Sequence, residues 1–235
     1  MSTVQNNVFD LDERISMSDL RQPRIAINVM RARLTVVGFN IAIVSFQVSE
    51  LFGMQGGISI PGFTHLVHFR ADMALLMALV FSLMALVAFI ASSSIDDVGH
   101  CDHWSFIAGD LLMYLGLANA VTGFFSPLNE AFRLASAEAM KQQVDITSFG
   151  IVIMLLGGVT WFMTIYLGPL VTLCRSPFSR VTNASLAFCY LFSLLLIFGL
   201  YHQVFLFEVL TTQGRLNNKQ GLVLYLHEFV QPFIW

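Results

Sequence analysis

The sequence predicts an all-α integral membrane protein, a bundle of about five transmembrane helices, and two observations lead to that prediction. The first is composition: hydrophobic residues make up 56% of the 235 residues and charged residues only 11%. Soluble domains usually carry about 25% charged residues, because a surface in water needs polar side chains. A surface in contact with lipid has no such need, so the composition indicates a membrane protein.

Five long apolar stretches are the second observation. A helix needs about 20 apolar residues to cross about 30 Å of hydrocarbon. None of the stretches alternates apolar and polar residues as the strands of a membrane barrel do, and lipid offers no partner for unpaired backbone groups. The spans are therefore predicted to be helices, at residues 34–52, 71–91, 105–125, 149–173 and 184–210.

Two terminal segments are predicted to flank the transmembrane domain of residues 34–210. Residues 1–33 mix acidic side chains with arginines and lack the pattern of a signal peptide, which predicts a cytoplasmic or interfacial segment. Residues 211–235 end in the apolar run LVLYLHEFVQPFIW. That run has about 14 residues, too few to span, and its aromatic side chains are typical of an interfacial or re-entrant segment.

The distribution of Lys and Arg predicts an orientation. Arg31 and Arg33 lie directly before the first span, and the short loop between the fourth and fifth spans carries Arg175 and Arg180. Cytoplasmic loops are enriched in such residues. We therefore expect a cytoplasmic amino terminus, an external carboxy terminus and a multi-pass protein of the cell (inner) membrane.

Titratable side chains near the outer ends of the spans predict one candidate site. Such groups are costly in hydrocarbon, which makes them the first functional candidates. Their depth predicts a single outer vestibule lined by Glu50, His68, Asp72, His202 and Glu208. Because His68 and Asp72 are four residues apart and share a helix face, Arg70 is expected to point elsewhere, toward the lipid headgroups.

Asp110 extends the predicted proton path on the other side of the membrane. It lies on the third span, inside the inner leaflet. A carboxylate at that depth is either neutral or has a partner. Asn119 and Thr122 are one of the few polar pairs further along the same span, where interhelical hydrogen bonds are an alternative role.

Two histidine sets are candidate metal ligands. His65, His68 and Asp72 fall on one helix stripe, and His100 and His103 lie in the acidic loop DDVGHCDH. Imidazole, thiolate and carboxylate suit zinc or copper. The alternatives are a polar helix start at the membrane surface for the first set and a solvated loop for the second. A whole span separates the two sets, so they are not expected to share one metal ion.

Several function classes are excluded by the sequence. Both lysines, Lys141 and Lys219, lie outside the spans, which excludes a retinal Schiff base. No P-loop, HExxH or CxxCH motif is present. The net charge of −3 indicates no nucleic-acid partner, and three cysteines form no disulfide framework.

Three functions fit these patterns. A channel or transporter for an ion or small solute, possibly linked to protons, leads because titratable groups enter the bundle from both sides. An accessory or redox subunit of a larger membrane complex is the second, with His68 and His202 as ligands of haem b or a nearby quinone site. A membrane-embedded metalloenzyme is the third. The expected partners are the lipid bilayer and either copies of the chain or other membrane subunits.

Overall fold

The computed structural model describes residues 28–51, 53, 57–60, 66–95, 103–141, 147–213 and 225–233, and most of these are helical. The long helices are α1 (Asn28–Leu51), α2 (Phe69–Ile95), α3 (Ser105–Lys141), α4 (Thr147–Phe162) and α6 (Arg180–Gln213), and a short helix, α5 (Gly168–Arg175), lies between α4 and α6. A π-helical turn, Met163–Leu167, joins α4 to α5, and a 3₁₀ segment, Glu228–Phe233, lies near the carboxy terminus.

The prediction of a five-span helical membrane protein is confirmed. Five helices are long and apolar enough to cross a membrane, with α4, the π turn and α5 acting as one span. The orientation of the termini stays a prediction, so the two ends of the bundle are named here by residues. The Asp110 end is where α1, α3 and α6 begin, and the Arg70 end is where α2 and α4 begin.

Helices α2 and α3 form the centre of the bundle because glycines on α3 let their backbones approach. A Cβ atom at Gly116 would lie 2.8 Å from Ser82 Oγ, and one at Gly123 would lie 2.5 Å from Leu75 Cδ2. The close pairs recur every seven residues along both helices, in antiparallel order: Gly109–Phe89, Gly116–Ser82 and Gly123–Leu75. Small residues at such spacing allow tight helix packing in membranes, where lipid removes the usual hydrophobic driving force between helices.

Helices α1 and α6 pack against this central pair. On α1, Val37 and Val44 are buried, and Asn40 Nδ2 donates a 2.7 Å hydrogen bond to Ser82 Oγ near the middle of α2. On α6, Leu194 and Phe198 are buried in the same core cluster as Trp161 of α4. Most of the large side chains left exposed on the outer faces are apolar, as lipid contact requires.

Helix α3 is longer than the predicted span at residues 105–125. It has 37 residues and continues through Pro127, which corresponds to about 55 Å at 1.5 Å per residue. A bilayer core is about 30 Å thick. The last turns of α3 therefore extend past the hydrocarbon at the Arg70 end.

The fourth span contains a break that one tyrosine stabilises. Pro169 has no N–H, so the carbonyl of Ile165, four residues earlier, lacks its α-helical donor. The π turn lies at this point, and the hydroxyl of Tyr190 on α6 donates a 2.6 Å hydrogen bond to that carbonyl. Membrane helices tolerate proline where a neighbouring side chain satisfies the backbone in this way.

The described part of the carboxy-terminal segment folds back against the bundle. Its 3₁₀ turn packs against α3, α4 and α6, and Glu228, Gln231 and Pro232 are buried. A Cβ atom at Gly158 would lie 3.2 Å from Pro232 Cβ, so the glycine makes room for the proline ring. Residues 225–233 thus pack into the bundle, and both alternatives for the segment, interfacial and re-entrant, stay predictions.

Candidate functional site

An ion pair joins α1 and α3 near the Asp110 end of the bundle. The guanidinium of Arg33 on α1 binds both carboxylate oxygens of Asp110 on α3: Nε donates to Oδ1, and Nη2 donates to Oδ2 at 2.8 Å. The same guanidinium lies over the ring of Phe106, 4.5 Å from its centroid. Asp110 is only 1% exposed. Arg33 thus supplies the partner that a carboxylate at this depth requires.

A hydrogen-bonded chain enters the bundle from the Arg70 end. Arg70 Nη2 donates to Glu228 Oε2 at 2.8 Å, and Gln231 Nε2 donates to the same oxygen at 3.2 Å. Thr122 Oγ1 donates to Gln231 Oε1 at 2.9 Å, and Trp161 Nε1 donates to Thr122 Oγ1 at 3.1 Å. The chain links α2, the carboxy-terminal segment, α3 and α4. Glu228 and Gln231, the two residues of the carboxy-terminal segment, are therefore the central members of this hydrogen-bonded chain.

A second polar pair lies one turn deeper on α3. The hydroxyl of Tyr201 on α6 donates to Asn119 Oδ1, and Asn119 Nδ2 donates to the carbonyl of Leu115 at 2.7 Å. Asn119 and Thr122 are three residues apart, so both face the region where α3, α4 and α6 meet. The space enclosed by these side chains has no room for a water molecule. The polar groups are satisfied by one another in a dry interior.

The environment of Glu228 opposes its charge. Burial raises the pKa of the Glu228 carboxyl, while Arg70 and the Gln231 amide act in the opposite direction. The Nε atom of Arg70 is also buried, without a hydrogen-bond partner in the part of the chain that the structure describes. The pair is therefore desolvated and incompletely bonded, which is a costly arrangement for two charges.

The predicted direction of the Arg70 side chain is wrong. Arg70 was expected to reach the headgroups, but it is 7% exposed and points inward to Glu228. The expectation used depth and helix face alone. A buried carboxylate on a segment 158 residues away along the chain decides the direction, because a long arginine side chain turns toward the partner that neutralises it.

The residues of the predicted vestibule are placed differently from one another. His68 is buried and interacts electrostatically with Asp72, Glu208 and Glu130. Glu208 Oε1 also accepts a 3.1 Å hydrogen bond from the backbone N–H of Arg70. Glu50 and Asp72 themselves are exposed. The structure thus brings His68 and Glu208 to the mouth of the polar chain and leaves Glu50 at the surface of α1.

His202 packs against the carboxy-terminal segment. Its ring contacts that of Tyr225 edge-on, with 5.7 Å between the centroids. Its Nδ1 atom is buried and accepts or donates no hydrogen bond within the described ranges. The pairing of His68 with His202 as haem ligands, and a single vestibule that includes both, stay predictions.

The two predicted metal sets are only partly described. His65 and His100 lie outside the described residues. His103 Nδ1 lies 2.7 Å from Ser105 Oγ and accepts the Ser105 backbone N–H at 3.3 Å, so this ring caps the start of α3. Among the described residues, no three His, Cys, Asp or Glu side chains converge as a metal site would require.

Sequence reasoning missed five members of the site: Arg33, Glu130, Trp161, Glu228 and Gln231. One signal was present for the last two, because Glu228 and Gln231, together with His227, are polar residues of a mostly apolar run and lie three residues apart. A polar pair at helical spacing in such a run predicts partners inside the protein. Arg33 and Glu130 carried no local signal that separates them from other surface charges.

The geometry therefore describes a multi-pass membrane protein with buried polar groups entering from both ends. No protein-family model, curated protein or solved structure matches the chain. Its function has to be inferred from the arrangement of its own residues.

Proposed function

We propose that the chain is a proton-linked carrier for an ion or small solute, described here in a closed state. One observation supports this proposal above the others. Two buried carboxylates, Asp110 and Glu228, lie toward opposite ends of the bundle, and each is paired with an arginine. Ionisable groups inside membrane proteins are most often found on ion or proton paths.

The depths of these groups can be estimated from the register of α2 and α3. Ser82 is the midpoint of α2 and packs against Gly116. At 1.5 Å per residue, Asp110 lies about 9 Å from that level on one side, and Thr122 lies about 9 Å from it on the other. Both fall inside the hydrocarbon half-thickness of about 15 Å. Asp110 and Thr122 thus lie within the hydrocarbon, on opposite sides of the midpoint.

A mostly apolar layer separates them, and the buried polar pair within it, Asn40 and Ser82, is joined by its own hydrogen bond. Asn119, the deepest member from the Arg70 end, is about 14 Å along α3 from Asp110. The buried side chains of α3 between them are apolar, among them Leu111, Leu115 and Ala118. A permanently open pore would need water through this layer, whereas a carrier alternates between states that open to one side at a time. The dry centre favours the carrier over the channel.

The chemistry of such a carrier follows from the ion pairs. Protonation of a carboxylate removes its charge, weakens its bond to arginine and loosens the elements that the pair joins. At the Asp110 end those elements are α1 and α3, and at the Arg70 end they are α2 and the carboxy-terminal segment. Protonation would therefore open one end by displacing α1, or the other end by displacing the segment that carries Glu228.

Proton flux into liposomes tests the proposal. Protein reconstituted with an internal pH-sensitive dye should acidify the lumen when a potassium–valinomycin voltage, negative inside, is applied. Asp110→Asn and Glu228→Gln keep the shape of each side chain and remove its titration, so flux should fall at least about tenfold. Asp110→Glu should retain flux because it still titrates. Glu138→Gln, on the exposed last turns of α3, is the matched control and should equal the wild type.

Two outcomes would contradict the carrier. One is wild-type flux no greater than that of empty liposomes, both without added solute and with small ions and solutes supplied on either side. The other is full flux in a folded Asp110→Asn variant, which would reduce Asp110 to a packing role. Either result would favour the accessory-subunit function instead, in which the two ion pairs only hold the helices together.

A further inference from the structure

A groove on the outer face of α2 and α3 lies apart from the polar chain. Its volume is about 580 Å³, within the range of small-molecule sites. On α2 the lining follows one helix stripe, with Met84, Ala88, Ala91 and Ile95 at intervals of four, three and four residues. On α3 the stripe consists of Ser105, Ala108 and Leu112. The alanines form a narrow floor between larger apolar side chains.

The groove covers one leaflet in length. It runs from Leu83, beside the midpoint of α2, to Ile95 at the last residue of that helix. That distance is about 18 Å, close to the half-thickness of about 15 Å of a bilayer core. A single acyl chain of a membrane lipid extends over the same depth.

Two ring side chains mark the end of the groove at the membrane surface. His103 and Trp104 line it there, and Trp104 is half exposed, as tryptophans at the headgroup level commonly are. The Ser105 backbone N–H donates to His103 Nδ1, and the Ser105 hydroxyl lies 2.7 Å from the same atom. Since Nδ1 is the acceptor, the neutral ring carries its proton on Nε2. That N–H lies on the opposite side of the imidazole from the helix cap.

We propose that this groove binds one phospholipid, with an acyl chain against the alanine floor and a phosphate oxygen accepting a hydrogen bond from His103 Nε2. The apolar lining matches the chain, the length matches one leaflet, and the donor lies at the level of the headgroup. This site does not depend on the proposed carrier function.

A transmembrane helix of another protein fits the groove poorly. A helix with side chains is about 10–12 Å wide, so 18 Å of it occupies about 1,400–2,000 Å³. That exceeds the groove of about 580 Å³, so only side chains of such a helix could enter it, whereas a whole acyl chain is narrow enough to lie between the two stripes. The lipid is therefore the occupant to test.

Native mass spectrometry of delipidated protein titrated with palmitoyl-oleoyl phosphatidylglycerol tests the site. One lipid should bind more tightly than the rest. Ala91→Phe fills the floor and should weaken this binding at least about tenfold, and Ala184→Phe, an exposed alanine of α6 at the same end, should not change it. If Ala91→Phe does not fold, Ala88→Leu intrudes less and takes its place, with the same expected direction.

His103→Asn tests the headgroup contact separately. Asparagine keeps an oxygen where Nδ1 accepts the Ser105 N–H, so the helix cap remains, but the Nε2–H donor is lost. Binding should weaken about 2–10-fold, as one hydrogen bond contributes. Equal binding by wild type and the groove-filling variant would overturn the proposal. So would an unchanged affinity in His103→Asn, or displacement of the lipid by a quinone or a co-purifying transmembrane polypeptide.

Discussion

The Tyr190→Phe substitution removes one hydroxyl at the break between α4 and α5. In the structure this hydroxyl donates to the carbonyl of Ile165 at 2.6 Å, where Pro169 supplies no backbone donor. Tyr190 and Ile165 are 7% and 3% exposed, so water cannot replace the bond. Phenylalanine fills the same space, and the substitution therefore creates no cavity.

The expected loss of folding free energy in Tyr190→Phe follows from two known ranges of hydrogen-bond energies. A buried acceptor left unsatisfied costs about 1–3 kcal/mol, while side-chain hydrogen bonds in membrane proteins average about 0.6 kcal/mol and reach about 1.7. Because the proline removes the α-helical alternative, we expect a loss near the top of the membrane range, about 1–2 kcal/mol. The measurement is reversible unfolding in mixed detergent–SDS micelles.

Tyr114→Phe is the matched control for Tyr190→Phe. The ring of Tyr114 packs against the backbone of Gly168, close to the same break, but its hydroxyl forms no hydrogen bond within the described ranges. The control should cost less than about 0.5 kcal/mol. If Tyr190→Phe proved no more destabilising than Tyr114→Phe, the hydroxyl would not be what stabilises the break.

Two further predictions concern packing and pH. Gly116→Ala should destabilise by about 1–3 kcal/mol in the same unfolding assay, because its Cβ would crowd Ser82 and the α2 backbone. Gly199→Ala meets nothing within 4 Å and should be neutral or stabilising by up to about 1 kcal/mol, so two equal losses would refute the packing argument. For Glu228, burial raises the folded-state pKa above the ordinary value of 4.5, so the folded state binds this proton more tightly than the unfolded state. The stability of the wild type relative to Glu228→Gln should therefore fall as pH rises from about 4.5 through the folded-state pKa, and a rise over that window would mean that the Arg70 pair outweighs burial.

The sequence was sufficient for the spans and for the two alternatives at Asp110, a neutral carboxyl or a carboxylate with a partner. Apolar length decides whether a helix crosses a membrane, and length is a local property that can be read from one stretch of chain. The cost of a buried carboxylate is equally local. Neither property identifies the partner, however. Arg33 is 77 residues from Asp110 along the chain, and only the packing of α1 against α3 brings the two side chains together.

The sequence could not predict how each helix is rotated about its own axis. Depth placed Arg70 near the membrane surface, yet the side chain turns inward because Glu228 is there. Glu228 in turn is buried because a short segment, too short to span, folds back beside Gly158 and Thr122. Docking of this kind leaves no periodic pattern in the sequence. The sequence alone therefore does not distinguish a surface-bound carboxy-terminal segment from a re-entrant one.

The attachment of α1 bears on how a closed bundle would open. Only 22% of the 18-residue apolar stretch of α1 is buried, against 56% of the corresponding stretch of α3. In lipid, apolar contact alone gives little preference for one helix neighbour over another. Within the described ranges, the position of α1 therefore depends strongly on two polar contacts, Arg33 with Asp110 and Asn40 with Ser82. Protonation of Asp110 would neutralise one partner of the first contact and leave the second near the midpoint of the membrane. In the proposed carrier, α1 would then tilt about Asn40, and its Arg33 end would move away from α3 and expose Asp110.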